Sequence, residues 1–232
     1  MNIKVKSLVD ETIDMYSPMQ VYEELIVLTV FLARRGVINA LEIGSHRLGL
    51  LNIIAKISTG KIISIDKYHL DATAHREQFL ALNPAANLLK SDSHDPHTKS
   101  DVIEILGNEK LDLLVIDGDH SLQGITQDFD MYSQLIRQNG IILFHDVDPQ
   151  HAILTEPAEV WQSLKTKSEF ESGEIIYTGI SQGIEYSNRL KLLHITDLLY
   201  HYPIIYRERF PSLRGLPCRC GGFGILRKAV DC

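Results

Sequence analysis

With 232 residues, 44% of them apolar and 23% charged, the chain is long enough for one sizeable core and ordinary in composition for a globular domain. A formal net charge of −7 disfavours a long basic groove for nucleic acid. No apolar run approaches the roughly 20 residues that cross a bilayer, so the expected partner is a small molecule rather than nucleic acid or membrane. The start MNIKVKSLVDE lacks the apolar stretch of a secretory signal. Cys218, Cys220 and Cys232 crowd the C-terminal end, too few for a disulfide framework and one short of a zinc site. A cytoplasmic protein with reduced thiols is the expectation.

Ser17-Pro18 has the pattern of a helix start, Ser as N-cap and Pro at the first helical position. Val21, Leu25, Leu28, Phe31 and Leu32 then recur at helical spacing up to Gly36, predicting an N-terminal helix within 17–36. Residues 37–43 read as a buried strand ended by Gly44. Helices over 48–57, 72–82, 99–106 and 122–137 alternate with strands over 61–65, 87–89, 111–116 and 140–144. Strands this rich in Ile, Leu and Val, alternating with helices, predict a parallel sheet covered on both faces. Residues 156–164 read as a helix with Pro157 in its first turn and Trp161 on its apolar face. Strands over 173–178 and 222–226 would add an antiparallel pair and complete a seven-stranded sheet. Residues 184–220, rich in Tyr, Phe, His and Arg, read as an insertion in a single domain, either a lid over a ligand or a contact in a homo-oligomer.

Each parallel strand ends on Gly, Asp, Ser or His. Ligands of open parallel sheets bind outside those ends, so the five ends predict the floor of one pocket. Gly44 and Gly49 do not make G-x-G-x-x-G, and no pyrophosphate cradle is evident. Asp66 ends the second strand, where a carboxylate accepts hydrogen bonds from both ribose hydroxyls of an adenosine; a helix cap is the plainer alternative. Asp92, between Ser91 and Ser93, suits an adenine amine or a cap. In LLVIDGDHSLQGITQD, Asp117 directly follows a buried strand, whereas Asp119 fits a helix cap equally well.

The segments LEIGSHRLG, SIDKY, KSDSHD and VIDGDHSLQGITQDFDMYSQLIRQNGIILFHDV resemble the class I S-adenosylmethionine-dependent methyltransferases, in the branch of the cephalosporin-hydroxylase-like and macrocin-type O-methyltransferases. The resemblance spans about residues 17–165. It implies a three-layer α/β, Rossmann-like methyltransferase fold with S-adenosylmethionine as cofactor. It also implies that Glu42, Gly44 and Ser45 hold the methionine end, Asp66 the ribose, and Asp92 with Ser93 the adenine. Asp117 would be an acid on the cofactor or metal side, and His145-Asp146 would face the acceptor. Leu48 and Leu50 depart from the small residues common there. The implied reaction is O-methylation of a small-molecule hydroxyl, on a sugar or another natural product.

Two designs suit that chemistry. In one, Asp117 and Asp146, with Asp119 or His145, hold Mg²⁺, a hard cation served by carboxylates. In the other, His145 or His120 is a general base oriented by a neighbouring Asp. Two competing readings stand beside them: a nicotinamide-dependent oxidoreductase and a non-catalytic adenosyl-binding domain.

Overall fold

The structure is a computed structural model that describes residues 4–20, 22–67, 73–148, 155–167, 169–177, 184–186 and 221–229. The three cysteines, His151 and all but residues 184–186 of the expected insertion lie outside the described residues. In chain order the elements are α1 (Val5–Tyr16), α2 (Tyr22–Arg35), β1 (Ala40–Ile43), α3 (Gly49–Ile57), β2 (Ile62–Asp66), α4 (Thr73–Leu82), β3 (Asn87–Lys90), α5 (Pro96–Leu106), β4 (Leu111–Ile116), α6 (Leu122–Tyr132), a 3₁₀ turn (Ser133–Leu135), β5 (Ile136–His145), α7 (Glu156–Leu164), β6 (Phe170–Tyr177), β7 (Ile184–Tyr186) and β8 (Phe223–Lys228). The sheet order is β3-β2-β1-β4-β5-β8-β6-β7. β1 to β5 pair in parallel, and β8 lies antiparallel between β5 and β6. This is the expected Rossmann-like α/β sheet with its antiparallel closure; the short β7 adds an eighth strand at the edge.

Side-chain alternation along the strands divides the core. Ala40, Leu113, Val115, Ile141, Leu143 and Ile225 pack beneath α1, α2 and α3. Leu41, Ile43, Leu114, Ile116, Ile142 and Phe144 pack against α5, α6 and α7. Trp161 is a core residue, 1% exposed. It stacks on Phe144 with ring centroids 6.5 Å apart and lies flat over Gly224, where an added Cβ would stand 2.7 Å from the indole.

The N-terminal helix differs from expectation. Val9, Thr12 and Tyr16 give α1 its own buried stripe, so Ser17 ends that helix instead of starting the next. Its φ is 45°, and its N–H donates to the Ile13 carbonyl at 3.0 Å. Pro18 then packs on Gly49, where a Cβ would lie 2.5 Å from the Pro18 Cβ, and α2 begins at Tyr22. β1 starts three residues later than expected because the N–H groups of Ile38 and Asn39 donate to Asp112 Oδ2, at 3.2 and 2.8 Å. α6 ends at Tyr132, and β5 begins at Ile136 with a register jump against β4 between Leu111 and Leu113. Asn139 takes the left-handed conformation there, at φ 60°, and Arg35 and Arg227 both donate to its side-chain oxygen.

Candidate active site

The carboxyl ends of β1, β2, β3 and β4 surround a cavity of about 350 Å³. Gly44, Asp66, Asp92, Ser93 and Asp117 line it together, with His46, Lys67 and His94. Gly44 holds φ +85°, and a Cβ there would stand 2.1 Å from the Asp117 carbonyl oxygen, so only glycine lets the β1 loop pass so close to β4. Asp66 Oδ2 accepts the His46 N–H at 2.7 Å, so this carboxylate fixes the β1 loop while facing the cavity. Asp92 pairs with Lys67 at 2.8 Å and accepts the His94 N–H at 3.1 Å. Lys67 and that N–H hold the Asp92 carboxyl below the ordinary range. Ser93 is held from behind, its carbonyl accepting from the Tyr132 hydroxyl at 2.8 Å.

Two expected contacts lie deeper. Ser45 is buried, its hydroxyl 2.6 Å from that of Ser64, and it does not line the cavity. Glu42, 1% exposed, also sits beneath the lining. Its Oε2 has no hydrogen-bond partner among the described residues. Burial, with Asp117 and Asp66 nearby, pushes its carboxyl well above the usual range. A buried acid lacking one donor, under a glycine loop, suits an incoming amine or a bridging water.

Asp117 joins this cavity to a second cluster. Its Oδ1 lies 3.2 Å from His120 Nε2 and 3.2 Å from His145 Nδ1. Its Oδ2 accepts from Gln20 Nε2 at 2.7 Å. Asp146 Oδ2 stands 3.6 Å from His120 Nε2 and 3.5 Å from His145 Nδ1. His145 Nε2 faces the buried Glu24 at 3.6 Å, and Phe223 covers the ring, centroids 4.7 Å apart. A pair of left-handed glycines, Gly221 and Gly222, brings two N–H groups in: one donates to Asp146 Oδ1 at 3.0 Å and the other to Glu24 Oε1 at 2.6 Å.

The charges are mutually dependent. Burial alone would raise the Asp117 carboxyl, but His145 and His120 outweigh it and hold it low. Burial likewise opposes ionisation of Asp146, where His145 again prevails. Burial would lower the His145 imidazole, yet Asp117 and Asp146 keep it well above its ordinary value. Hydrogen bonding to Asp117 raises His120 against a smaller burial effect. The two acids thus stand side by side because two histidines lie between them. Two neighbouring carboxylates repel, and the imidazoles between them offset that repulsion.

Of the expected residues, Asp117, His120, His145 and Asp146 come together. Among the described residues, Asp117, His120 and Asp146 present ligand atoms within 4.8 Å of one another. His145 Nδ1 lies as near the two acids, at 3.2 and 3.5 Å, but its side chain is 6% exposed against 29% for His120. Asp119 is part of the capping: its Oδ1 accepts the Ser121 N–H at 2.9 Å, and Ser121 caps α6. Gln20 and Glu24 were not anticipated. Both lie on the N-terminal segment, and only tertiary packing brings them beside β4 and β5.

Residues 41–147 match a family described as a methyltransferase domain. Solved structures share the fold. The O-methyltransferase TomG of Streptomyces achromogenes, described as involved in tomaymycin synthesis and in complex with SAM, is 13% identical with a TM-score of 0.58, over 99% of this chain and 92% of its own. A Bacillus cereus O-methyltransferase in complex with SAH is 14% identical with a TM-score of 0.58, over 96% and 91%. An rRNA methylase of Streptococcus thermophilus is 10% identical with a TM-score of 0.55, over 89% and 96%. At such identities the likeness is one of fold, and the fold spans acceptors as different as these. No curated protein sequence matches the chain.

Proposed function

We propose that the chain moves a methyl group from S-adenosylmethionine to a hydroxyl oxygen of a small molecule, a sugar or another hydroxylated natural product, a reading supported by the match of residues 41–147 to a family described as a methyltransferase domain. The observation that carries this reading is Asp117, which lines the cavity on one side and anchors the carboxylate–imidazole cluster on the other.

The residues fit the cofactor. Asp66 faces the space a ribose would take, Asp92 and Ser93 the base, and Gly44 with the donor-poor Glu42 the amino-acid end. S-adenosylmethionine supplies a reactive methyl on a sulfonium, which leaves the protein to position the acceptor and remove its proton. His120 is suited to that removal. Its side chain is 29% exposed against 6% for His145, and Asp117 orients its Nε2. His145, enclosed by Asp117, Asp146 and Glu24, serves as a fixed positive charge that keeps the acids ionised and in place.

The ligand-atom group favours a second version of the same function. Asp117, His120 and Asp146 would hold Mg²⁺, which would lower the cost of ionising the acceptor hydroxyl. The match to a methyltransferase domain family speaks against the nicotinamide-dependent oxidoreductase, and the acid–imidazole cluster that Asp117 joins to the cavity favours an enzyme over an adenosyl-binding module. The test is calorimetry with S-adenosylhomocysteine, then methyl transfer to a panel of sugars, phenols and catechols with Mg²⁺ or EDTA. Cofactor binding with turnover of a hydroxylated acceptor supports the reading. Binding of a nicotinamide in place of S-adenosylhomocysteine overturns it. Loss of turnover in EDTA selects the metal version.

A further inference from the structure

The motif D-G-D-H-S-x-x-G-x-x-x-D ends on Asp128, a residue with no task in the reaction above. Asp128 projects from α6 and is fully buried. No hydrogen bond of strict geometry reaches either carboxylate oxygen among the described residues, and the groups that answer it are the Ser93 side chain and the His94 ring. A carboxylate so placed is costly unless something charged or polar answers it.

What faces it belongs to the cofactor cavity. His94 Nε2 lies 3.3 Å from Asp128 Oδ1 and 3.2 Å from the Gly124 carbonyl oxygen. The other ring nitrogen lies 3.8 Å from Asp92 Oδ1. The His94 side chain, 21% exposed, lines the cavity beside Asp92 and Ser93. Asp128 also backs the β4 loop: a Cβ on Gly118, another lining residue, would stand 3.8 Å from Asp128 Oδ2. α6 holds the same wall twice more, through Tyr132 on the Ser93 carbonyl at 2.8 Å and Gln127 on the His94 carbonyl at 3.5 Å. Gly124 belongs to the same device. It has no room for a side chain because Asp119 packs 2.4 Å from where a Cβ would be, and its carbonyl oxygen meets the His94 ring.

We propose that Asp128 is a positioning residue for the nucleoside end of the cofactor: it holds the His94 ring upright in the cavity wall, where the ring packs against the purine next to Asp92. This rests on the adenosyl reading of the cavity. A flat aromatic ring is a natural partner for a base, but only if its tilt is fixed, and a buried acid behind one ring nitrogen fixes it. The pair is also sensitive to pH. Burial pushes the Asp128 carboxyl up to about 6, against the pull of Ser93 and His94. The charged groups around the pair are Asp92 and Asp95 from the β3 loop, Asp119 from the β4 loop and Lys67 from the end of β2. As pH falls through that value, Asp128 loses the charge that holds His94, and the wall loosens.

The experiment is calorimetric titration of S-adenosylhomocysteine into the wild-type chain, Asp128→Asn, His94→Ala and the double variant, at pH 7.5 and pH 5.5. At pH 7.5 each single variant binds about tenfold more weakly, the loss of one close imidazole–carboxylate contact. The double variant binds no more weakly than either single one, because both remove the same contact. Wild-type affinity falls toward that of Asp128→Asn at pH 5.5, whereas Asp128→Asn itself changes little. Wild-type affinity in Asp128→Asn, or additive losses in the double variant, overturns the proposal. No binding by the wild type overturns the adenosyl reading itself, and this proposal with it. Should Asp128→Asn fail to fold by circular dichroism, His94→Gln replaces it. Gln keeps a donor toward Asp128 and retains affinity that His94→Ala loses; equal losses overturn the proposal.

Discussion

Replacing Gly44 with alanine puts one methyl group where β1 and β4 touch. The backbone there holds φ +85°, and the new Cβ would stand 2.1 Å from the Asp117 carbonyl oxygen and 2.5 Å from the Gly118 Cα. A left-handed conformation costs a non-glycine residue on the order of 1–2 kcal/mol. Relief of the contact requires a backbone shift of about an ångström, an overpacking cost of roughly 1–3 kcal/mol. Neither strand retreats freely: the Gly44 N–H is bonded to the Ile65 carbonyl and the Asp117 N–H to the Ile43 carbonyl, both at 2.9 Å. The two costs together come to about 2–5 kcal/mol. Urea unfolding reads this directly. For a slope of about 2–3 kcal/mol per molar, the midpoint drops by about 0.7–2.5 M. Calorimetry on the remaining folded protein should show S-adenosylhomocysteine binding lost, because the shift moves the cavity floor. A Gly44→Ala chain with an unchanged midpoint and unchanged affinity would refute both the close approach and its place in the cofactor site.

Asp117→Asn and Asp146→Asn should each lower turnover by about 10²–10⁴-fold, the range of a lost acid–base system, with a folded circular dichroism spectrum retained; near-normal turnover in both would remove the cluster from the chemistry. His120→Ala should lower kcat with little change in S-adenosylhomocysteine affinity, and wild-type kcat should rise with pH through a value above the ordinary imidazole range, since Asp117 raises His120. His145→Ala should instead lower the melting temperature, because it leaves buried Asp117 and Glu24 without their common cation. The pH dependence of stability follows from the same pair, measured on EDTA-treated protein. His145 is raised in the fold, so its contribution is full below about pH 6.5 and fades as pH climbs through the raised value. Asp117 is lowered, so its contribution is present above about pH 4 and is lost only as pH falls through the lowered value; Asp117→Asn should flatten both slopes. Gly224→Ala should lower the melting temperature without touching cofactor affinity, because its Cβ meets the Trp161 ring at 2.7 Å and not the cavity.

The sheet was legible because its strands are nearly continuous in Ile, Leu and Val, and each stops on a polar residue. Asp66, Asp92 and Asp117 were legible as residues at those stops. α1 was missed because Ser17-Pro18 looks like the opening of a helix, whereas the stripe of Val9, Thr12 and Tyr16 is broken by a polar position. Gln20 and Glu24 carry no local signal. A glutamine in a connector and a glutamate on a helix look solvent-facing until the tertiary fold places them against Asp117 and His145. The cover on His145 carries no local signal either, because Phe223, which packs on its ring, lies 78 positions further along the chain. The neighbouring His120, two residues beyond the glycine turn at Gly118, keeps the more open position.

Among the described residues β8 is the last strand in chain order, yet it is not at the sheet's edge: it lies between β5 and β6. Until residues 221–228 arrive, β5 presents an unpaired apolar rim, the kind of surface that invites association between incomplete chains. The same residues bring the N–H groups that Asp146 and Glu24 require. Synthesis of residues 221–228 thus decides two things together, whether the sheet is sealed and whether the acids have their donors. A chain cut short before Gly221 would be expected to clump rather than to linger as a weak binder.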